Sequence, residues 1–234
     1  MLNRAPRRNS AVFAAVLALA ATTACSGDDS ESSGDPEERL AAARTVIDEA
    51  ESIELSLETS DLPSDVEGII SAEGVGTHAP AFDGKAEVRA FGITGEVPVV
   101  AVDSEVYFKL PFKSGYETFD VAKYDAPDPA ELLSTDDGIT SMITSLESVE
   151  AGETELDGET KVTPIDGTLP GSAVRKLFPS VDESAEFDVS FRLDGDDVMR
   201  DAKISGPFYP DEDDLTYTIA LEASDESVDI SAPS

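Results

Sequence analysis

The single histidine, His78, is the first residue to examine for acid–base chemistry, because imidazole is the most frequent general base in enzymes. It lies in the segment GVGTHAP, at a predicted strand end or turn. A Ser–His–Asp triad would have to use it, yet no serine lies in a Gly-x-Ser-x-Gly elbow. The chain also has no CxxC, HExxH or glycine-rich phosphate loop. We therefore predict a solvated His78, no catalytic residues, no cofactor, and a binding or carrier role.

Carboxylates are the second group that could do chemistry, since Asp and Glu account for 50 of the 234 residues. Two acidic runs, Asp194–Asp197 and Asp211–Asp214, could bind a hard cation through oxygen ligands. Neither run has the spacing of an EF-hand loop, so solvated turns are the simpler interpretation. We predict no metal site.

The only cysteine, Cys25, cannot form an intramolecular disulfide. Three arginines within the first eight residues precede the apolar run 11–21, which is too short to span a bilayer but suits a signal peptide. The small residues 22–24 then lead directly to the cysteine, in an order that resembles a bacterial lipobox. The departure from that pattern is Thr22, where leucine is usual.

We interpret residues 1–24 as a lipoprotein signal peptide and Cys25 as an acylated anchor. The alternative is ordinary secretion with a free thiol, which is a liability in an oxidising compartment. Removal of the signal peptide would leave 13 basic residues against 50 acidic ones. Such a surface repels nucleic acid, because neutralising phosphates requires Lys and Arg, so we predict no DNA or RNA partner.

The rest of the chain is interpreted as a flexible acidic tether, residues 25–35, followed by one domain, residues 36–234. Asp35 and Pro36 predict the start of a helix. Beyond Ser52 the apolar residues recur with a period of two in about ten strand candidates. Strands that are apolar on one face only indicate an antiparallel sheet with one wet face. Asp-Gly pairs predict turns at 83–84, 157–158 and 194–195.

Helices must cover the dry face of this sheet. Besides the first helix, the candidates are residues 129–134, 137–148 and 171–178. Four short helices cannot easily fill the concavity of a strongly curved ten-stranded sheet. Either the sheet is flatter, or an apolar cavity remains between the layers. The pattern alone favours a packed core.

Taken in order, these features resemble the LppX/LprA/LprF/LprG lipoproteins of mycobacteria and related actinobacteria. The resemblance covers roughly residues 36–233 and rests on the combination of several stretches. After the lipobox and spacer, these are SIELSLETSDLP, GEVPVVAVDSEVYFKLPF, YDAPDPAELLSTDDGITSMITSL, GTLPG at 167–171 and GPFYP at 206–210.

The resemblance implies an α+β single domain, in which a strongly curved antiparallel half-barrel of about ten strands has helices on its concave face around an apolar cavity. It implies a lipoprotein held on the extracytoplasmic face of the cell membrane by Cys25, with a secreted or cell-wall fraction as a second location. The implied task is to bind multi-acyl lipids or glycolipids and to help transfer them across the envelope, with an envelope lipid exporter as a partner. Two alternatives stay open: an acceptor or chaperone for acylated lipoproteins, and a structural accessory of an envelope transporter without its own cargo.

The first part of such a cavity wall is predicted at Ala86, Val88 and Ala90, because small side chains on an apolar face leave room where Phe and Leu would fill it. The near wall consists of Ala86, Val88, Ala90, Val97 and Val99. The far wall consists of Phe187, Val189, Phe191, Ile204, Ile219 and Leu221. For each of them, a tightly packed core position is the alternative.

Overall fold

The computed structural model describes residues 34–60, 62–90, 92–111, 113–124 and 126–233. Cys25, the signal peptide and most of the tether lie outside the described residues. None of the helices within these ranges is long and apolar enough to cross a membrane.

Helix α1 (Pro36–Asp48) precedes the sheet and begins where the sequence predicts. The carboxylate of Asp35 accepts a hydrogen bond from the backbone N–H of Glu37 over 3.0 Å, which satisfies one of the free donors of the first turn. Pro36 occupies the first helical position, where a backbone N–H is not needed. One face of α1 is buried, through Arg39, Leu40, Ala43 and Ile47.

The described residues form twelve strands. They are β1 (Ser52–Glu58), β2 (Gly68–Thr77), β3 (Ala81–Ala90), β4 (Ile93–Val102), β5 (Glu105–Phe108), β6 (Glu117–Phe119), β7 (Glu147–Ala151), β8 (Glu155–Asp157), β9 (Thr160–Pro170), β10 (Glu186–Asp194), β11 (Met199–Gly206) and β12 (Leu215–Ser224). The additional strands, compared with the ten predicted, are short edge strands in which an alternating pattern is hard to recognise.

The strands form one curved, open, antiparallel sheet in the order β6-β5-β4-β3-β2-β1-β12-β11-β10-β9-β7, with β8 paired to β9. The first and last strands of the chain are therefore neighbours at the centre of the sheet. This architecture confirms the predicted fold class, a single domain built on a curved antiparallel sheet with helices against it.

The predicted helices that follow β6 are much shorter than expected. The described helical turns in this part are η1 (Val121–Tyr124), η2 (Glu131–Leu133), η3 (Ile139–Ser145) and α2 (Gly171–Val174), and the first three are 3₁₀ helices. The helix predicted over 137–148 is wrong, because η3 ends at Ser145 and β7 begins at Glu147. Hydroxyl groups explain the difference: Ser141 Oγ donates to Gly138 O and Thr144 Oγ1 donates to Ser141 O, both over 2.7 Å. Such local bonds compete with a regular α-helix.

The turn predicted at Asp83-Gly84 is also wrong, because both residues lie inside β3. Gly84 is needed for close packing instead of for a turn, since a Cβ built on it would lie 2.7 Å from the Cα of Gly74. The other two Asp-Gly pairs do lie at turns, between β8 and β9 and between β10 and β11. Gly158 has a φ of +63°, which favours glycine at that position.

The inner face of the sheet differs between two regions that we call the filled half (β9–β12) and the open half (β2–β5). In the filled half, large side chains are at most 3 % exposed: Ile165, Leu169, Phe187, Val189, Phe191, Leu193, Ile204, Tyr217, Ile219 and Leu221. Helix α1 contacts η3 and β12, and α2 contacts η3, β9 and β10, so helices cover this half. The inner face of the open half carries mainly Gly, Ala and Val.

Candidate functional site

The inner face of the open half is built from rows of small side chains that the strand register places side by side. Across β2, β3 and β4 the rows are Ala72, Ala86 and Val97; Gly74, Gly84 and Val99; and Gly76, Phe82 and Ala101. Apart from one phenylalanine, no side chain in these rows is larger than valine. Space between this face and its cover is therefore not taken up by the sheet itself.

An apolar cavity of about 40 Å³ lies against this face. It is lined by Leu55, Leu57, Ile69, Ala72, Phe82, Ala86, Val99, Pro127, Pro129, Leu132 and Phe178. None of these side chains carries a charge. The volume is far below the roughly 300–1,000 Å³ of typical ligand pockets. In this structure the cavity is therefore too small to hold an acyl chain.

The aromatic ring of Phe82 occupies much of the space that the small residues leave free. A Cβ built on Gly74 would lie 2.6 Å from Phe82 Cζ, and a Cβ built on Gly84 would lie 2.7 Å from the same atom. The ring thus lies directly over a cross-strand pair of glycines, an arrangement that covers the exposed backbone of such pairs. This volume becomes free only if Phe82 changes its rotamer or is replaced by a smaller residue.

The cover of the cavity is the segment 127–132, which we call the lid segment. Its residues Pro127, Pro129 and Leu132 line the apolar cavity. Its residues Asp128, Ala130 and Glu131 line a second, open depression of about 680 Å³ on its other side. The lid segment is therefore the partition between the two spaces.

The second depression has a different chemical character. Besides the lid segment, it is bordered by residues of the β2–β3 turn, of the β4–β5 turn and of the chain after β12. Five carboxylates lie on its wall: Asp103, Glu105, Asp128, Glu131 and Asp229. An acyl chain gains nothing from such a wall, so the smaller apolar cavity is the better candidate for apolar cargo despite its volume.

The half-buried His78 helps to hold the lid segment in place. Its Nδ1 lies 2.7 Å from the carbonyl oxygen of Leu133, and its Nε2 lies 2.9 Å from that of Ile47, in the last turn of α1. Carbonyl oxygens only accept, so both contacts are hydrogen bonds when each ring nitrogen carries a proton. The prediction of a solvated His78 is therefore wrong, and the reason is the approach of two elements distant in sequence.

Arg44 makes a second connection between α1 and the chain that follows η2. Its Nη2 donates to the carbonyl oxygen of Thr135 over 2.9 Å, while its Nε donates to Asp48 over 2.8 Å. The other carboxylate oxygen of Asp48 accepts from Thr140 Oγ1 over 2.7 Å. Polar contacts from α1 thus reach the chain between η2 and η3 at Thr135 and the beginning of η3 at Thr140.

Aromatic residues close the cavity toward the filled half. Phe178, which lines the cavity, stacks on Tyr217 with ring centroids 5.4 Å apart. The Tyr217 hydroxyl donates to the carbonyl oxygen of Ile69 over 2.8 Å and lies 3.1 Å from that of Tyr209. Burial raises the pKa of both tyrosines, so they stay neutral at physiological pH.

The structure separates the two predicted walls of the cavity. Ala86 and Val99 line the cavity, Val97 packs beside the core, and Val88 and Ala90 continue along the same face with half-buried side chains. The six far-wall residues, Phe187, Val189, Phe191, Ile204, Ile219 and Leu221, lie instead in the core of the filled half and do not line this cavity. Whether any of the eleven residues contacts cargo stays a prediction.

Several lining residues were not predicted. Leu55 and Leu57 belong to a strand whose apolar face the sequence does show, so they could have been found. Pro129 and Phe178 lie at the ends of segments predicted as helices, 129–134 and 171–178, and only the tertiary structure brings them and Pro127 to the cavity. No local signal indicated that they line it.

The first acidic run, Asp194–Asp197, has structural partners. Asp194 Oδ1 accepts hydrogen bonds from the backbone N–H groups of Asp196 and Val198, both over 3.0 Å, and Asp197 pairs with the buried Arg39 over 2.6 Å. The first run therefore shapes the β10–β11 turn and connects it to α1. Among the described residues, no group of three or more His, Cys, Asp or Glu side chains is placed to hold a metal ion.

Comparison with known proteins gives both a family and a fold. The sequence profile of the LppX/LprAFG lipoprotein family matches residues 35–230. LprF from Mycobacterium bovis is 14 % identical, with a TM-score of 0.66 over 86 % of this chain and 99 % of that one. The Mycobacterium tuberculosis lipoprotein LppX is 18 % identical, with a TM-score of 0.57 over 85 % of this chain and 100 % of that one. A comparison with curated proteins gives no match.

Proposed function

Because the chain belongs to the LppX/LprAFG lipoprotein family, we propose that it is a cell-envelope lipoprotein that binds multi-acyl lipids or glycolipids and helps to transfer them across the envelope. One observation carries this proposal: the uncharged inner face of the open half, where small residues in register on three strands border an apolar cavity. In this proposal an acylated Cys25 holds the protein on the extracytoplasmic side of the membrane. Cargo would come from that membrane or from an envelope lipid exporter.

The cost of moving a lipid explains why such a protein needs an apolar cavity and no catalytic residues. Moving one 16-carbon acyl chain from a bilayer into water costs about 13 kcal/mol, at about 0.8 kcal/mol per methylene. A lipid with two or three chains therefore does not leave the membrane unaided at a useful rate. A dry protein surface that replaces the bilayer removes most of this cost, and no covalent bond is made or broken.

Cargo binding requires the closed cavity to expand. The lid segment is the element best placed to move, because it separates the apolar cavity from an open depression of about 680 Å³. Outward movement of this segment would join the two spaces and would expose the rows of small side chains to the cargo. The bonds of His78 and Arg44 to the neighbouring backbone would then be the contacts that oppose opening.

Native mass spectrometry of the domain 34–234, produced in the presence of its own envelope lipids, tests the proposal. We expect multi-acyl lipid in near one-to-one amount, identified after organic extraction. Protein-linked acyl chains in place of free lipid would instead support a chaperone for acylated lipoproteins. A bare protein mass that does not change after incubation with envelope lipids would contradict the carrier function and would favour a transporter accessory without cargo.

Substitution of Ala86 by Trp tests the position of the cargo. The indole would fill the cavity, so we expect lipid occupancy to fall to about a tenth of the wild-type value or less. Glu87→Trp is the matched control, because the neighbouring residue is exposed on the outer face of the same strand. Thermal unfolding and circular dichroism of both variants establish that they fold. Wild-type occupancy in a folded Ala86→Trp variant would remove this strand from the site.

A further inference from the structure

Within residues 25–234 of this very acidic chain, several stretches contain no acidic residue, the longest being 167–181, and two others lie in neighbouring connections on one side of the sheet. Nearly one residue in four of 25–234 is Asp or Glu, but residues 88–95 and 106–116 contain neither. The first stretch forms the connection between β3 and β4, and the second contains the connection between β5 and β6. Antiparallel pairing of β3, β4 and β5 directs both connections toward the end of the sheet where β3 ends, and the second begins at Lys109, whose backbone N–H bonds to Pro98 O on β4, five residues from Ile93.

An uncharged strip leads from the cavity to this end. Along β3 and β4 the paired inner residues are Ala86 with Val97, Val88 with Gly95, and Ala90 with Ile93. Ala86 lines the cavity, whereas the side chain of Ile93 at the end of the strip is 72 % exposed. Leu110, in the β5–β6 connection, is 37 % exposed. The strip therefore ends in exposed apolar side chains and not in a charged rim.

Basic side chains accompany these apolar ones. Arg89 lies on β3 directly before the connection, and its Nη1 donates to the carbonyl oxygen of Leu62 over 3.2 Å. Lys109 and Lys113 lie in the second acid-free stretch. The ammonium group of Lys113 is 3.0 Å from Glu117, and both side chains are about half exposed, so water screens this pair. We call Arg89, Ile93, Lys109, Leu110 and Lys113 the docking edge.

We propose that the docking edge contacts the surface of an anionic lipid bilayer, and that acyl chains pass between this bilayer and the cavity along the strip on β3 and β4. The inference rests on the proposed carrier function and names the partner of its site. Basic groups attract anionic headgroups, while exposed apolar side chains enter the boundary between headgroups and acyl chains. A body with a large negative charge can approach such a surface only by an edge from which acidic residues are missing.

Acidic residues at the same end of the sheet do not cancel this attraction. The acidic run 211–214 precedes β12, which is separated from β4 by three strands. Measured along the curved sheet, the four steps from β12 to β4 span about 19 Å, compared with a Debye length of about 8 Å at physiological ionic strength. Asp65 and Glu67 lie nearer, in the β1–β2 connection. Because an anionic surface repels their carboxylates, the domain should contact that surface with the β3–β6 side of the sheet.

The docking edge lies at the end of the sheet opposite to the start of α1. Arg39 in the first turns of α1 pairs with Asp197 in the β10–β11 turn, which lies at the other end of the strands. Since the complete sheet and its core are formed within residues 34–233, the domain 34–234 is suitable for the test.

The experiment measures flotation of the domain with protein-free vesicles of phosphatidylcholine, with and without phosphatidylinositol. We expect binding to the anionic vesicles that weakens with salt. Lys109→Glu together with Lys113→Glu should reduce this binding by more than tenfold, at about fivefold for each lost cation. Ile93→Ser should reduce it by about tenfold.

Matched controls come from exposed residues elsewhere on the domain. Leu156, at 71 % exposure, matches Ile93, and Lys176, which pairs with Asp137, matches Lys113. Leu156→Ser and Lys176→Glu should bind vesicles like the wild type. Vesicle binding by the docking-edge variants at the wild-type level would overturn the proposal. A wild-type domain that binds only vesicles containing envelope proteins would overturn it as well.

Native mass spectrometry of the same samples separates this proposal from the carrier function. We expect Ile93→Ser to retain wild-type lipid occupancy but to exchange lipid between vesicles about tenfold more slowly. Vesicle binding through the edge without any bound lipid would contradict the carrier function and would leave the docking edge in place. Bound lipid together with unchanged vesicle binding in the edge variants would contradict the docking edge alone.

Discussion

The filled half and the open half of the sheet use the same antiparallel pairing and yet differ in what lies on their inner faces. Each contains a phenylalanine ring above glycine backbone: Phe187 over Gly206 in the filled half, and Phe82 over Gly74 and Gly84 in the open half. In the filled half, this ring is one of a cluster with Phe178, Phe208 and Tyr217, whose contacting ring centroids lie 4.9–5.4 Å apart. In the open half, the ring borders a cavity.

The segments that cover the two halves also differ in how regular they are. Helix α1 has 13 residues and buries a regular apolar face on the core. The lid segment over the open half contains two prolines and no complete turn of α-helix, and polar contacts from α1 and His78 hold the chain that follows it. Of the lid residues, Ala130 and Leu132 are buried in the core, whereas the other four are half-buried or exposed. Segments outside the regular core elements open at lower free energy than those elements. The comparison indicates that one half of the sheet stabilises the fold, whereas the other half provides space that can change.

The largest effect that tests this division is expected from removing the phenylalanine ring in each half. Phe187→Ala and Phe82→Ala should each lower the free energy of unfolding by about 3–5 kcal/mol in the lipid-free domain, because both rings are almost fully buried. Envelope lipid should then stabilise Phe82→Ala more than the wild type, since the released volume joins the apolar cavity. Envelope lipid should not stabilise Phe187→Ala more than it stabilises the wild type.

Chemical denaturation with and without lipid measures both quantities, and native mass spectrometry gives the lipid occupancy of each variant. The outcome also bears on the far wall predicted from sequence, which includes Phe187. An equal gain of stability in both variants would mean that cargo reaches the filled half as well. The division between a stabilising half and a binding half would then be wrong.

A smaller effect is expected from the contacts of His78. His78→Leu keeps a side chain of moderate size but removes the contacts of the ring nitrogens with two backbone carbonyl oxygens, which should lower the free energy of unfolding by about 1–2 kcal/mol. If the same contacts oppose the opening of the lid segment, lipid exchange should become about five to thirty times faster.

Fluorescent lipid exchange between the domain and vesicles measures this rate. Tyr107→Phe is the control, because it removes an exposed hydrogen bond of 2.7 Å to Glu105 and leaves both contacts of His78 in place. Slower or unchanged exchange in His78→Leu, together with the expected loss of stability, would show that His78 supports the fold without restraining the lid segment.

The sequence predicts the sheet better than its cover, and the reason is physical. Long one-sided strands such as β10 and β12 show their burial directly in an alternating pattern, and the capped start of α1 is a local signal. The segments between β6 and β10 take their structure from contacts with distant elements and from hydroxyl groups that bond to nearby backbone. Propensity over a short window therefore overestimates their helical length.

The candidate site is predictable in part for the same reason. Small residues on the inner face of β3 and β4 indicate where space remains, and Ala86 and Val99 do line the cavity. The pattern cannot distinguish such a face from the equally apolar face of β10, where larger side chains meet a helical cover. The register that pairs Gly74 with Gly84, and the approach of His78 to two carbonyl groups, depend on tertiary structure.

The smallest effect is expected on the outer face of the open half. The ammonium group of Lys85 lies 2.9 Å from Glu96 and 3.1 Å from Glu73, and these hydrogen bonds raise the pKa of Lys85 above its ordinary value of 10.5. A raised pKa means that the contribution of Lys85 to stability is complete at neutral pH and is lost only as the pH rises through the raised value.

Because the group is exposed, Lys85→Gln should change thermal stability only slightly, and salt should reduce the difference further. Lipid occupancy and the stabilisation by lipid should stay at wild-type values, although residue 85 is the direct neighbour of Ala86. The strand alternates, so the two side chains lie on opposite faces of the sheet. A loss of lipid binding in Lys85→Gln would mean that the two faces do not act independently, and the assignment of cargo to the inner face would lose its main support.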